Sequence, residues 1–244
     1  MKNYIAEFLG SFVLILVGVG SLAFTGLVSG TGFGGSGIGV LGVGLAFGII
    51  VMSLIYTIGP ISGCHINPAV TIGVLAIKGM KVKDAVMYII AQIVGGIVAA
   101  AVLYWMFLDP SKGSQVAQTM WSALTPTHYL DTGAGAIFPF SVGVVFVLEI
   151  LMAFILQIVI LGSLGNKGNE ALAGVSIGLV VAALIFISGG LDGAGINPIR
   201  SLSPAFFANN SYALTQTIVI SIANIIGAVI GSFGFKWLAT PKKA

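Results

Sequence analysis

Two short runs containing Asn-Pro stand 130 residues apart in this chain, at Asn67-Pro68 and at Asn197-Pro198. Asparagine is a strong N-cap residue and proline is favoured at the first helical position, so each run predicts the start of a helix. Such a start presents unpaired backbone N–H groups and the positive end of the helix dipole. The two runs therefore predict a polar site wherever the fold brings them together.

The composition places this polar site inside a membrane. The chain has 244 residues, of which 57% are hydrophobic and 7% are charged, whereas soluble domains carry about 25% charged residues. A membrane-spanning helix needs roughly 20 apolar residues. Six apolar segments approach or exceed that length, and they cover residues 5–28, 40–58, 84–107, 138–163, 171–188 and 213–237. We predict an all-α membrane protein with six transmembrane helices in a single domain over residues 1–244.

A weakly apolar stretch follows each Asn-Pro run, from Ala69 to Ile77 and from Ile199 to Ala208. These stretches are too short to cross a bilayer, and backbone that ends at membrane depth is tolerated where it lines a cavity. We predict two re-entrant half-helices.

The second half of the chain repeats the first. The matching positions are Glu7 with Glu149, Gly44 and Gly48 with Gly174 and Gly178, and Gln92 and Gly95 with Asn224 and Gly227. Each repeat, about 1–107 and 138–244, holds three spans, so the second copy must be inverted in the bilayer and the half-helices enter from opposite faces. Because the first segment recurs, we predict a retained span and not a cleaved signal peptide, and the glycines predict close helix packing.

Basic residues predict the orientation. With both termini in the cytoplasm, the outer segments hold only Lys112 and Arg200, the single arginine of the chain. The inner segments hold eight lysines, as the positive-inside rule requires: Lys2, Lys78, Lys81, Lys83, Lys167, Lys236, Lys242 and Lys243.

The chain resembles the aquaporin (major intrinsic protein) family in three runs. They are Ala6-Glu7-Phe8-Leu9-Gly10, Ser62-Gly63-Cys64-His65-Ile66-Asn67-Pro68-Ala69-Val70 and Asn197-Pro198-Ile199-Arg200-Ser201. The resemblance implies a passive channel of the cell membrane that is not an enzyme, has no cofactor or metal, and assembles as a homotetramer with one pore per subunit. Its partners would be the lipid bilayer, water and small neutral solutes.

The same resemblance assigns roles to residues. Asn67 and Asn197 would cap the half-helices and donate to a solute at the pore centre. Glu7 and Glu149 would accept hydrogen bonds from the half-helix backbone, and His65 would line the inner vestibule, where a pH gate is an alternative.

The outer constriction is placed by counting from the motifs. The resemblance implies that Phe47, Ile185, Ala194 and Arg200 form this ring. Ile185 replaces a histidine of water-selective members, so the filter is similar to that of archaeal-type aquaporins and should admit small uncharged solutes such as glycerol, dissolved gases or hydrides. Glycerol facilitators carry aspartate where this chain has Ser201, which is aquaporin-like.

Ile199 departs from the motif, because the family has alanine at this position. A bulky, β-branched side chain there predicts a shifted half-helix contact and a changed pore width.

Two other functions remain open from the residues. In a proton-coupled secondary transporter of a small neutral solute, Glu7 and Glu149 would relay protons. In a membrane packing or junction protein, the pore would be occluded. One cysteine excludes an internal disulfide, and no nucleophile–base set, phosphate loop or basic patch for nucleic acid is visible.

Overall fold

A computed structural model describes residues 1–29, 39–107, 142–165, 170–208 and 211–240. Six long helices run through these ranges, and all six are long and apolar enough to cross a membrane. They are α1 (Lys2–Ser29), α2 (Gly39–Ser62), α4 (Val82–Phe107), α5 (Val142–Leu164), α6 (Ala173–Ser188, preceded by a 3-10 turn at Glu170–Leu172) and α8 (Ser211–Ala239). No strand occurs in the ranges given above. The predicted all-α membrane architecture is confirmed.

Two short helices follow the Asn-Pro runs, α3 (Pro68–Ala76) and α7 (Pro198–Ala205). The second half-helix is shorter than predicted, because it ends at Ala205 and not at Ala208. After that residue the N–H groups of Phe207 and Ala208 bond to carbonyls three residues back, the tighter pattern that often closes a helix.

The long helices pack in matching pairs, α1 with α4, α5 with α8, and α2 with α6. Glycines sit where the backbones cross. A Cβ atom added to Gly48 would lie 2.5 Å from the carbonyl oxygen of Gly178, and one added to Gly178 would lie 2.5 Å from that of Gly48. The predicted close packing at these glycines is confirmed.

The other two pairs cross in the same way. A Cβ on Gly95 would meet the carbonyl oxygen of Phe8, and a Cβ on Gly227 would meet that of Ile150. Both half-helices pack against α4 and α8 and also touch each other. Their N-terminal ends are thereby brought together in the interior of the molecule.

Some predicted features lie outside the described residues. These are the start of the fourth segment, 138–141, and four of the basic residues used for orientation: Lys112, Lys167, Lys242 and Lys243.

Candidate functional site

A cavity of about 250 Å³ passes both half-helix starts. Helices α1, α2, α3, α5, α6 and α7 contribute side chains to it, and so do the two loops 63–67 and 193–197, called here the first and second pore loops. The walls are mainly apolar. The polar side chains on them are His65, Asn67, Asn197 and Arg200.

The two asparagines cap the half-helices as predicted. Oδ1 of Asn67 accepts from the N–H of Ala69 at 2.9 Å, and Oδ1 of Asn197 accepts from the N–H of Ile199 at 3.0 Å. Both caps have extended backbone, and proline follows each of them. This is the geometry that the local sequence dictates.

The same asparagines also join the two halves. Nδ2 of Asn67 donates to the carbonyl of Ile196 at 3.2 Å, and Nδ2 of Asn197 donates to the carbonyl of Ile66 at 2.9 Å. A side-chain amide carries two N–H groups. Each asparagine therefore uses one on the opposite loop and has a second for a molecule in the cavity.

The pore loops share an unusual backbone. Cys64 and Ile66 in the first loop, and Ala194 and Ile196 in the second, all have φ between 40° and 56°. Left-handed φ in residues other than glycine costs about 1–3 kcal/mol each and persists only where surrounding contacts hold it. The two buried glutamates supply such contacts.

Glu7 holds the first pore loop through four donors and is fully buried. Its Oε1 accepts from Ser62 Oγ at 2.6 Å and from the N–H of His65 at 2.9 Å. Its Oε2 accepts from the N–H of Ile66 and from Gln92 Nε2, both at 2.7 Å.

Glu149 holds the second pore loop in the same way and is also fully buried. It accepts from the N–H groups of Gly195 at 2.6 Å and Ile196 at 2.7 Å. Nδ2 of Asn224 donates to it at 2.6 Å. Neither glutamate is among the residues that line the cavity.

The four residues predicted for the constriction come together. Phe47, Ile185, Ala194 and Arg200 all line the cavity. Arg200 is 4% exposed, and its Nη2 donates to the carbonyl of Gly193 at 2.8 Å. The guanidinium is thus anchored to the second pore loop.

His65 also lies on the cavity wall. Its Nδ1 is 3.1 Å from Thr71 Oγ1, and its ring meets that of Tyr88 edge-on with the centroids 5.3 Å apart. These contacts fix the imidazole against α3 and α4.

Ile199 does not line the cavity. Its side chain is fully buried, and a Cβ added to Gly96 of α4 would meet its Cγ2 atom. The extra volume of this residue is accommodated by the missing side chain of a glycine on a neighbouring helix, so it does not narrow the pore centre.

Sequence reasoning missed three residues that shape this site. A Cβ on Gly18 would meet the ring of Phe47, so this glycine makes room for the ring; Gly96 does the same for Ile199. Asp192 is fully buried and stands five residues before Asn197, as Ser62 stands five before Asn67. The sequence signal for Asp192 was available, since aligning the two loops reveals it; nothing comparable identifies the glycines.

No group of three or more His, Cys, Asp or Glu side chains that could hold a metal ion occurs in the part of the chain that the structure describes.

Known proteins with similar sequences span nearly the whole chain. The family model for the major intrinsic proteins matches residues 1–235. Aquaporin Z of Rhodopseudomonas palustris is 36% identical over 240 residues, which are 98% of this chain and 93% of that protein. Glycerol uptake facilitator protein-like 6 of Lactiplantibacillus plantarum is also 36% identical, over 236 residues and 96% of both chains.

Among solved structures, the X-ray structure of the aquaglyceroporin from Plasmodium falciparum matches with a TM-score of 0.78. The match covers 98% of this chain and 96% of that one at 24% sequence identity. The fold is the same.

Proposed function

Since the chain belongs to the major intrinsic protein family, we propose that it is a passive channel for water and small uncharged solutes that excludes protons and ions. The observation that carries this proposal is the meeting of two capped half-helices on one cavity. Asn67 and Asn197 lie side by side there and each retains an N–H group for a passing molecule.

The pore centre would work by hydrogen bonding and by charge. A water oxygen that accepts from the two asparagine amides has its own hydrogens directed away from the centre, so a continuous proton-conducting chain of waters is interrupted. The positive ends of α3 and α7 both face this point, which disfavours cations and protons. Neutral molecules do not pay this electrostatic cost.

The constriction would set the solute range. Arg200 offers the charged donor, and Phe47, Ile185 and Ala194 offer apolar surface. A ring with few polar contacts lowers the penalty for solutes that cannot replace all of water's hydrogen bonds. We therefore include glycerol-sized solutes among those conducted. Overall similarity does not decide this point, because a relative named aquaporin and one named glycerol facilitator are equally identical to the chain.

Glu7 and Glu149 would act as supports for the pore loops. A proton relay needs access to the permeating solute, whereas both carboxylates are fully buried, away from the cavity wall, and occupied by backbone and amide donors. These contacts favour a channel over a proton-coupled transporter.

We place both termini in the cytoplasm. Tyr4 near the chain start donates to Asp84 at the start of α4, and Lys236 near the end of α8 contacts the carbonyl of Ile77 after α3. The two chain termini and the link between α3 and α4 therefore lie on the same side of the molecule. Most of the described lysines are on this side, which supports placing it in the cytoplasm. We further propose a homotetramer with a pore in each subunit, on the basis of family membership.

Stopped-flow light scattering of proteoliposomes tests the function. With sucrose as osmolyte, vesicles containing the protein should shrink much faster than empty vesicles, without any ion gradient. With glycerol, they should shrink and then re-swell. Shrinkage no faster than that of empty vesicles would refute the channel, and absence of re-swelling would restrict it to water.

A matched pair of tryptophan variants separates flux through the cavity from leakage around the protein. Val181 lines the cavity, whereas Leu179 on the same helix is 62% exposed. Val181→Trp should abolish the fast phase and Leu179→Trp should keep it.

A further inference from the structure

The two buried glutamates differ in one neighbour. Glu7 has Ser62 Oγ as its fourth donor, at 2.6 Å. At the matching place beside Glu149 stands Asp192, a second carboxyl group. Asp192 keeps the other contact of Ser62: its Oδ1 accepts from the N–H of Ala194 at 2.9 Å, just as Ser62 Oγ accepts from the N–H of Cys64 at 3.1 Å.

The remaining oxygen of Asp192 has no hydrogen-bond donor within the described ranges and is buried. The two carboxyls accept from neighbouring N–H groups of one loop, Asp192 from Ala194 and Glu149 from Gly195, so they lie close together. The Arg200 guanidinium is near enough to interact with both. Glu149 on α5 and Arg200 on α7 are the charged groups that face Asp192 among the described residues. Two buried carboxyls thus lie beside the guanidinium that lines the cavity.

Two adjacent buried carboxyls cannot both ionise without strong repulsion, and one positive charge offsets only one of them. If one carboxyl keeps a proton, the three groups sum to zero charge. The proton also supplies the donor that Ser62 supplies in the first half.

We propose that Asp192 and Glu149 share one proton, so that Asp192 as a carboxylic acid donates to the Glu149 carboxylate and holds the second pore loop in place beside Arg200. Asp192 is then a positioning residue for the constriction. Its proton is retained at acidic and neutral pH and is lost as the pH rises. Loss of the proton removes the hydrogen bond and adds a negative charge next to the arginine that repels cations.

Infrared spectroscopy of the purified protein in lipid vesicles tests the shared proton directly. At neutral pH the wild type should show the carbonyl stretch of a protonated, buried carboxyl, shifted in heavy water. Asp192→Asn and Asp192→Ser should lose this band, and so should the wild type at alkaline pH. A wild type without the band, or a band that persists in both variants, would overturn the proposal.

Potassium leak from the same vesicles tests the consequence at the pore, and this measurement rests on the proposed channel function. In the wild type, leak through the protein should rise about tenfold from neutral to alkaline pH, the factor given by about 1.4 kcal/mol of barrier. Asp192→Ser, which reproduces the first half, should abolish that rise. An equal rise in wild type and variant would contradict the role of Asp192.

The two failures are distinguishable. Vesicles that conduct no water at any pH would refute the channel, whereas the infrared band would still decide whether the carboxyls share a proton.

Discussion

The first half-helix with its pore loop and the second half-helix with its pore loop have the same backbone but different side chains. Residues with left-handed backbone φ stand at the same places in both loops. Both N-caps are asparagine, and a buried glutamate holds each loop. Five of the nine matching positions differ between residues 62–70 and residues 192–200: Ser62 and Asp192, Cys64 and Ala194, His65 and Gly195, Ala69 and Ile199, and Val70 and Arg200.

The difference shows which contacts the architecture requires. Backbone N–H groups of the loops are buried and must have acceptors, so both halves retain a carboxylate for them. The side chains that differ instead face a neighbouring helix, the other carboxyl or the cavity. Divergence there puts a cationic side chain, Arg200, on the cavity wall in the second half only, while the two half-helices keep a common backbone framework.

The largest expected effect concerns Ile199. Ile199→Ala should lower the free energy of unfolding by about 2–5 kcal/mol through the cavity it leaves, and Gly96→Ala should cost about 1–3 kcal/mol through overpacking. The double variant should recover most of the loss, because it recreates an alanine pair. Chemical unfolding in detergent–lipid micelles measures all three.

The mirror substitutions in the first half provide the control. Ala228 corresponds to Gly96 in the repeat, and the backbone of α8 at this residue lies against α3. Ala69→Ile should therefore destabilise the protein, and adding Ala228→Gly should restore it. If the losses of unfolding free energy in the single variants simply add up in the double variants of both halves, the two side chains of each pair do not compensate for each other's size.

The second prediction compares the two glutamates. Glu7→Gln should destabilise by about 3 kcal/mol, because an amide N–H₂ then faces donors that had a charged acceptor. Glu149→Gln should cost about half as much, since Asp192 is then relieved of a like charge and can pair with Arg200. Thermal unfolding of both variants in the same lipid shows which substitution lowers the stability more. Equal losses would mean that Asp192 has no influence on this site.

A smaller effect is expected at Arg200, whose counterpart is Val70. Arg200→Val makes the second half like the first and should raise proton leak at least about tenfold, corresponding to about 1.4 kcal/mol of barrier. A pH-sensitive dye inside proteoliposomes measures it. Arg200→Lys preserves the charge and should leave the leak low; a leak unchanged in Arg200→Val would remove the arginine from the cation barrier.

The smallest effect concerns Phe47, whose counterpart Ile177 also lines the cavity. Gly18→Ala should push the Phe47 ring toward the pore and reduce glycerol flux by about threefold, under 1 kcal/mol of barrier, with less effect on water. Gly59→Ala is the control, since its new Cβ would lie 3.8 Å from the nearest atom. Equal glycerol flux in the two variants would show that Phe47 does not limit the solute.

Much of the fold was predictable because its signals are local. Apolar length identified the spans, and Asn followed by Pro identified both half-helix starts within one residue. The end of α7 was missed by three residues, because the last turn tightens gradually and leaves no mark such as a glycine. The candidate pore residues all line one cavity and the two glutamates hold the loops beside it, while their roles in permeation remain predictions.

The six spans and the two caps follow from the amino-acid sequence, because span length and helix capping depend on neighbours within a few residues. The three motif runs likewise indicate the family. Packing alone shows that Ile199 fills the space beside Gly96, that Gly18 lies behind the Phe47 ring, and that Asp192 lies close to Glu149. Each of these contacts joins residues that are dozens of positions apart in the chain. The role of such a residue depends on its partner in space. A glycine makes room for a particular side chain, and the charge of one carboxyl depends on a second carboxyl, so neither role can be recognised before the packing is known.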